Sequence, residues 1–171
     1  RGIKVHAWLN PYRVSMNTRQ QTIDALNQTL QSPPASVYAL HPDWIRTAND
    51  RFVLDPGLPD VRNWITGVVA EIVKNYDVDG IQFDDYFYYE TPQSPLDDGK
   101  TYRAYGKGFA DKAAWRRDNT LQLIKQVSAT VKALKPAVAF GVSPAGVWRN
   151  KADDPAGSAT RAGAPSYDTA Y

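Results

Sequence analysis

The sequence has no cysteine, one methionine and only two histidines, His6 and His41, in 171 residues. Without a thiol there is neither a disulfide framework nor thiolate catalysis, and redox chemistry leaves the compartment open. No apolar run approaches the roughly 18 residues of a membrane span. Charge of one sign is lacking too: 20 Lys and Arg stand against 18 Asp and Glu, a net charge of +2, with the basic residues scattered instead of gathered in runs. That pattern points away from a nucleic-acid or membrane-surface partner. What is present is a chain 43% hydrophobic and 12% aromatic, the composition of one globular domain with its own core. Arg1-Gly2-Ile3 runs straight into strand-like sequence and the final Ser-Tyr-Asp-Thr-Ala-Tyr closes no element. Residues 1–171 are therefore expected to be the central part of one larger domain.

Lys4 to Asn10 alternates apolar Val5, Ala7 and Leu9 with Lys4, His6, Trp8 and Asn10, the pattern of a strand with two different neighbours. Thr18 and Gln21 fit a capping box ahead of Ile23, Leu26 and Leu30 and predict a helix of about three turns. The stretch from Ser32 to Pro59 carries five prolines, at 33, 34, 42, 56 and 59, and reads as a long ordered loop with a short turn at Asp43-Trp44-Ile45. Apolar residues at 61, 64, 65, 68, 69, 72, 73 and 76 predict a helix over 60–76. A strand at 78–83, an aromatic loop at 86–108, a helix at 111–134 ended by Pro136 and a strand at 137–143 follow. Alternating strands and helices predict a parallel sheet with right-handed crossovers. Long loops leave the C-terminal strand ends and short ones return, as at Asn75-Tyr76-Asp77. This is the asymmetry of an α/β, (β/α)8 TIM-barrel-type fold, present here as about three strand-helix units. A doubly wound sheet is the alternative, but no Gly-rich phosphate loop follows a strand.

Strand alternation sorts the polar residues. His6, Trp8 and Asn10, then Gln82 and Asp84, then Gly141 and Ser143 are expected to face the barrel interior, with Asn10, Asp84 and Ser143 converging at the C-terminal ends. Asp84 is the candidate catalytic carboxylate. Asp85 opens the loop, where it supports Asp84, binds substrate or serves as the second acid; the plainer reading of the pair is one loop cap and one salt bridge. His6 is a substrate contact or a hydrogen-bonded packing residue. Asn10, Tyr12 and Arg13 offer an amide, a phenol and a forked donor suited to hydroxyl-rich or anionic ligands, or form a turn with one surface Arg. Tyr86 to Tyr89 and Trp148 make a sugar-stacking platform or a small core of the loop itself. Asp55, in Leu54-Asp55-Pro56-Gly57, is a weaker binding candidate beside its turn-forming role.

HAWLNPYRV, VDGIQFDDYFYY and FGVSPAGVWRN, in this order and spacing, with HPDW and FVLDPGLPDV between them, resemble the glycosyl-hydrolase-like family ten. These are bacterial barrel proteins that include a cell-division-associated peptidoglycan glycosidase, and the likeness runs through nearly the whole chain. The resemblance implies a catalytic acid on the strand bearing Asp84 and a later strand with a Pro-Gln-Tyr motif that this sequence lacks. It also implies an extracytoplasmic setting, in the periplasm or as an outer-membrane lipoprotein. GIQFD is similar, too, to the strand that carries the Asp nucleophile of amylase-type barrels. Those barrels place a Glu at the end of the next strand, where this sequence has Ser143-Pro144.

The expected activity is hydrolysis of a bacterial cell-wall glycan, with peptide-stripped peptidoglycan as the substrate, and it needs two carboxyl groups flanking the scissile bond. Asp84 serves as nucleophile or base, and Asp85 or an acid outside these residues is its partner. No cofactor is expected. Two other readings remain: a glycan-binding barrel without catalysis, and a metal-dependent carbohydrate deacetylase, for which His6 and His41 form a thin ligand set.

Overall fold

The computed structural model describes residues 2–84, 86–89, 93–143 and 154–156. Its centre is a parallel sheet of three strands: β1 (His6–Leu9), β4 (Gly80–Phe83) and β5 (Ala139–Val142). The register pairs Leu9 with Phe83 and Phe83 with Val142, so Ala7, Leu9, Ile81, Phe83, Phe140 and Val142 share one face. Two crossover helices cover that face. Helix α3 (Pro59–Asn75) opens on Pro59 with Asp60 in its first turn, both favourable at a helix N-terminus. It buries Val61, Ile65, Val69 and Val73 at a spacing of four. Helix α5 (Lys112–Leu134) is capped by Asp111, whose carboxylate accepts the Ala114 N–H at 2.7 Å, and buries Leu123, Val127 and Val131. All seven side chains join the strand residues in one core, where Phe83 meets Phe140 edge-on at 5.2 Å. Each such aliphatic burial stabilises the fold by about 1.5–3 kcal/mol.

The opposite face carries exposed His6, Trp8 and Gly141. Strand order follows chain order and both crossovers lie on one side, which is how a barrel winds; a doubly wound sheet reverses direction and places helices on both sides. The chain therefore forms consecutive units of a (β/α) barrel.

Structure differs from expectation mostly in the two long loops. Within 32–59, read as irregular, lie a short helix α2 (Val37–Leu40), the expected turn as a 3-10 segment at Pro42–Trp44, and an antiparallel hairpin of β2 (Ile45–Ala48) and β3 (Arg51–Leu54). Asn49 and Asp50 turn the hairpin with φ of 49° and 54°, the left-handed conformation that a tight two-residue turn needs and that Asn and Asp tolerate. The segment after β1 extends this hairpin: Leu54 N–H donates to Tyr12 O at 2.8 Å and Val14 N–H to Phe52 O at 2.9 Å. In the second loop α4 (Gly99–Tyr105) precedes α5. Helix α1 (Gln20–Gln28) begins after Arg19, and the capping box is not made. Thr18 instead donates to Asp50 across to the hairpin, while Asn17 Oδ1 accepts the Arg19 N–H at 3.0 Å.

Candidate functional site

Asn10, Asp84 and Ser143 stand side by side, each one residue past its strand. The Asp84 N–H donates to Leu9 O at 3.2 Å and the Ser143 N–H to Phe83 O at 2.9 Å, so the sheet register carries through the C-terminal edge. Alternation puts Asp84 on the face away from the helices, beside Gln82 and Trp8.

The Asn10 side chain links the two loops. Its Nδ2 donates to Asp84 Oδ2 at 2.9 Å and to the Tyr89 hydroxyl, while its Oδ1 accepts the Arg13 N–H at 3.1 Å. Pro11, which has no N–H of its own, bends the chain so that the Arg13 amide comes back over Asn10. On the other side, Tyr86 N–H lies 3.5 Å from Asp84 Oδ1. Asp84 itself is only 7% exposed. A carboxylate this sheltered, with an amide donor on one oxygen, is held in one orientation.

Aromatic residues wall the site. Tyr86 is 48% exposed and stacks on Tyr89, with centroids 5.3 Å apart and planes inclined by 22°. Tyr88 and Tyr89 are buried in a second small core with Leu96 from their own loop and Ala48 and Val53 from the hairpin. The aromatic run thus divides between the two roles open to it, an exposed ring at Tyr86 and core at Tyr88 and Tyr89. Burial pushes the Tyr89 phenol above its ordinary value; the Asn10 hydrogen bond and the Arg13 charge oppose the rise, and Asp84 adds to it.

Helix α5 anchors this wall from behind. Arg116 grips Asp98 with two bonds, Nε to Oδ2 at 2.7 Å and Nη2 to Oδ1 at 2.8 Å, and Lys112 pairs with the same carboxylate. The guanidinium also sits 4.9 Å from the centre of the Tyr88 ring, whose hydroxyl accepts Asn119 Nδ2 at 3.1 Å. Burial works against an ionised Asp98, but the hydrogen bonds and charges of Arg116 and Lys112 outweigh it and hold the carboxyl below its usual range.

Three expected contacts are placed elsewhere. His6 occupies the first position of β1, about 13 Å along the strand from Asn10. Its ring lies against Gly80, where an added Cβ would come within 2.9 Å. Tyr12, expected beside Asn10 and Arg13, is 0% exposed and packs edge-on to Phe87 at 6.5 Å. Pairing of this segment with β3 turns Tyr12 inward and leaves Arg13 half-buried near the mouth. Burial drives the Tyr12 phenol well above its ordinary value, with Arg62 opposing and Asp55 adding. Asp55 is also 0% exposed: Oδ1 accepts the Gly57 N–H at 2.9 Å, and Oδ2 takes Arg46 at 2.9 Å and the Thr101 hydroxyl. It ties hairpin, turn and α4 together. Ser143 is exposed at the mouth. Asp85 and Trp148 lie outside the described residues. Among the described residues, no three His, Asp or Glu side chains stand close enough to share a metal ion, and no helix is long and apolar enough to cross a membrane.

The sequence marks Tyr89 only as one of the aromatic run from Tyr86 to Tyr89, and it gives no sign of the Asp98, Arg116 and Asn119 anchor. Adjacent tyrosines at 88 and 89 carry no mark of which hydroxyl meets Asn10.

The family model described as glycosyl hydrolase-like 10 matches residues 1–171. The protein named Glycosyl hydrolase DigH of Escherichia coli K12 is 65% identical over 171 residues, covering all of this chain and 39% of that protein. Glycosyl hydrolase YngK of Bacillus subtilis is 44% identical over 173 residues, covering all of this chain and 32% of that protein. The chain thus spans well under half the length of these curated relatives. Among solved structures, an α-galactosidase from Lactobacillus brevis aligns with a TM-score of 0.49 at 18% identity, over 83% of this chain and 17% of that one. One from Thermus thermophilus aligns with a TM-score of 0.42 at 15% identity, over 88% and 29%. With its family model matched from end to end, the chain belongs to the glycosyl hydrolase-like 10 family.

Proposed function

We propose that the protein containing this chain hydrolyses glycosidic bonds of a bacterial cell-wall glycan, with peptide-stripped peptidoglycan as substrate and Asp84 as one of the two carboxyl groups. The observation that carries the reading is the position of Asp84, at the C-terminal mouth of the parallel sheet with Asn10 on one oxygen and an exposed aromatic ring close by. Barrel enzymes assemble their chemistry on that face.

Hydrolysis asks for a second carboxyl, about 5–5.5 Å away if Asp84 attacks the anomeric carbon and about 6.5–9.5 Å away if it activates water. Asp85 or an acid from the remainder of the protein takes that part and protonates the leaving oxygen. Asn10 holds Asp84 in line, Tyr86 stacks against a sugar ring, and Arg13 and Ser143 hydrogen-bond sugar hydroxyls. The setting proposed is extracytoplasmic, where the polymer is. Incubation of the full-length protein with peptide-stripped glycan strands tests the reading: chain shortening with new reducing ends supports it. Tight binding with no product over long incubation would instead make the protein a glycan-binding barrel, and activity silenced by a chelator would reopen the deacetylase reading.

A further inference from the structure

We infer that Tyr89 is a positioning residue for Asp84, acting through the Asn10 amide; the inference rests on the function proposed above. An asparagine side chain has two N–H donors and one carbonyl acceptor on opposite sides of a bond that turns. Here all three are committed. The Arg13 N–H takes the carbonyl, which faces the NH2 group towards the loop after β4, and there one N–H goes to Asp84 and the other to Tyr89. The amide is therefore locked from both ends, and Tyr89 supplies one of the locks.

Two observations separate this role from core filling. The Tyr89 ring would be served equally by phenylalanine in a pocket formed by Ala48, Val53 and Leu96. A hydroxyl buried beside those apolar side chains costs free energy unless it is hydrogen-bonded. What the oxygen adds is an acceptor for Asn10. The acceptor is also fixed in place: Tyr89 is 7% exposed, its ring is stacked on Tyr86, and the Arg13 charge acts on its hydroxyl. Without that oxygen, one N–H of a half-buried amide has to find water or turn, and the bond to Asp84 weakens.

Tyr89→Phe removes the oxygen alone. In the full-length protein acting on soluble glycan strands, kcat is expected to fall about three- to tenfold, the loss of one net hydrogen bond in the transition state, with KM changed less than twofold. Asn10→Ala should fall further. In both variants the acid limb of the kcat–pH profile should move to higher pH, because an N–H donor favours the ionised carboxylate. Adding Tyr89→Phe to Asn10→Ala should cost nothing more, since the tyrosine acts through the amide. Unchanged kcat and acid limb in Tyr89→Phe would overturn the inference, as would effects that multiply in the double variant, or a lowered Tm that accounts for the loss while the acid limb stays put. Carboxyl NMR titration of Asp84 gives the same comparison without turnover. Asp84→Asn separates the two claims: an active Asp84→Asn variant sinks the proposed function, whereas an inactive one beside a wild-type-like Tyr89→Phe sinks only the role of Tyr89.

Discussion

Replacing Arg116 by Met should destabilise the fold by about 3 kcal/mol. Arg116 is 3% exposed and Asp98 0%, and two bonds of 2.7 and 2.8 Å join them. Methionine keeps most of the apolar stem but leaves a buried carboxylate facing Lys112 alone. Breaking a buried pair from one side costs about 3–5 kcal/mol, and loss of the cation–π contact with Tyr88 adds up to about 1 kcal/mol. Lys112, whose side chain is 39% exposed, can still move towards Asp98 and offsets part of this, which places the estimate at the low end. Urea unfolding of the full-length protein followed by tryptophan fluorescence reads it directly, since Trp115 lies fully buried next to Arg116. The double variant Arg116→Met, Asp98→Leu removes both charges and should lose less than Arg116→Met alone. A loss below about 1 kcal/mol in the single variant would show that the pair does not anchor the Tyr88 and Tyr89 wall.

The same pair sets an acid limit. Asp98 is held below its usual range in the fold, so its contribution is present above the ordinary carboxylate value near pH 4 and is lost as pH falls through the folded value; Asp98→Asn should flatten the stability–pH curve in that interval, as denaturation at stepped pH would show. Tyr86→Ala removes an exposed stacking ring and should weaken glycan binding about three- to tenfold by titration calorimetry, with Tm nearly unchanged. Gly57→Ala would drive a methyl into Trp115 and to within 2.8 Å of the Thr101 methyl, and should cost about 1–3 kcal/mol in the same urea assay.

The layers of the fold were legible because their patterns are regular. Apolar residues recurring at three and four positions predict a helix over 60–76, against an observed Pro59–Asn75, and alternation along β1 and β4 puts Asn10 and Asp84 on one face. The hairpin escaped because its strands are four residues each and sit among prolines; the signal available was Asn49-Asp50 between two short runs, a dipeptide suited to a tight turn. Tyr12 was expected at the mouth because it lies just past the strand end beside Asn10 and Arg13, whereas the chain bends at Pro11 and pairs with β3, which turns Tyr12 inward. His6 shares a face with Asn10 but not a level, and face alone does not make a site. The Asn10–Tyr89 contact joins residues 79 apart in the chain, a closeness created by packing of the hairpin against the second loop and invisible to local pattern.

Asp84 as the catalytic carboxylate is the centre of the account, and turnover of peptide-stripped glycan strands by full-length Asp84→Asn tests it most directly. A fall of about 10²–10⁴-fold in kcat is expected, with glycan affinity and Tm close to those of the unaltered protein. Turnover at the unaltered rate by a folded Asp84→Asn protein would contradict it.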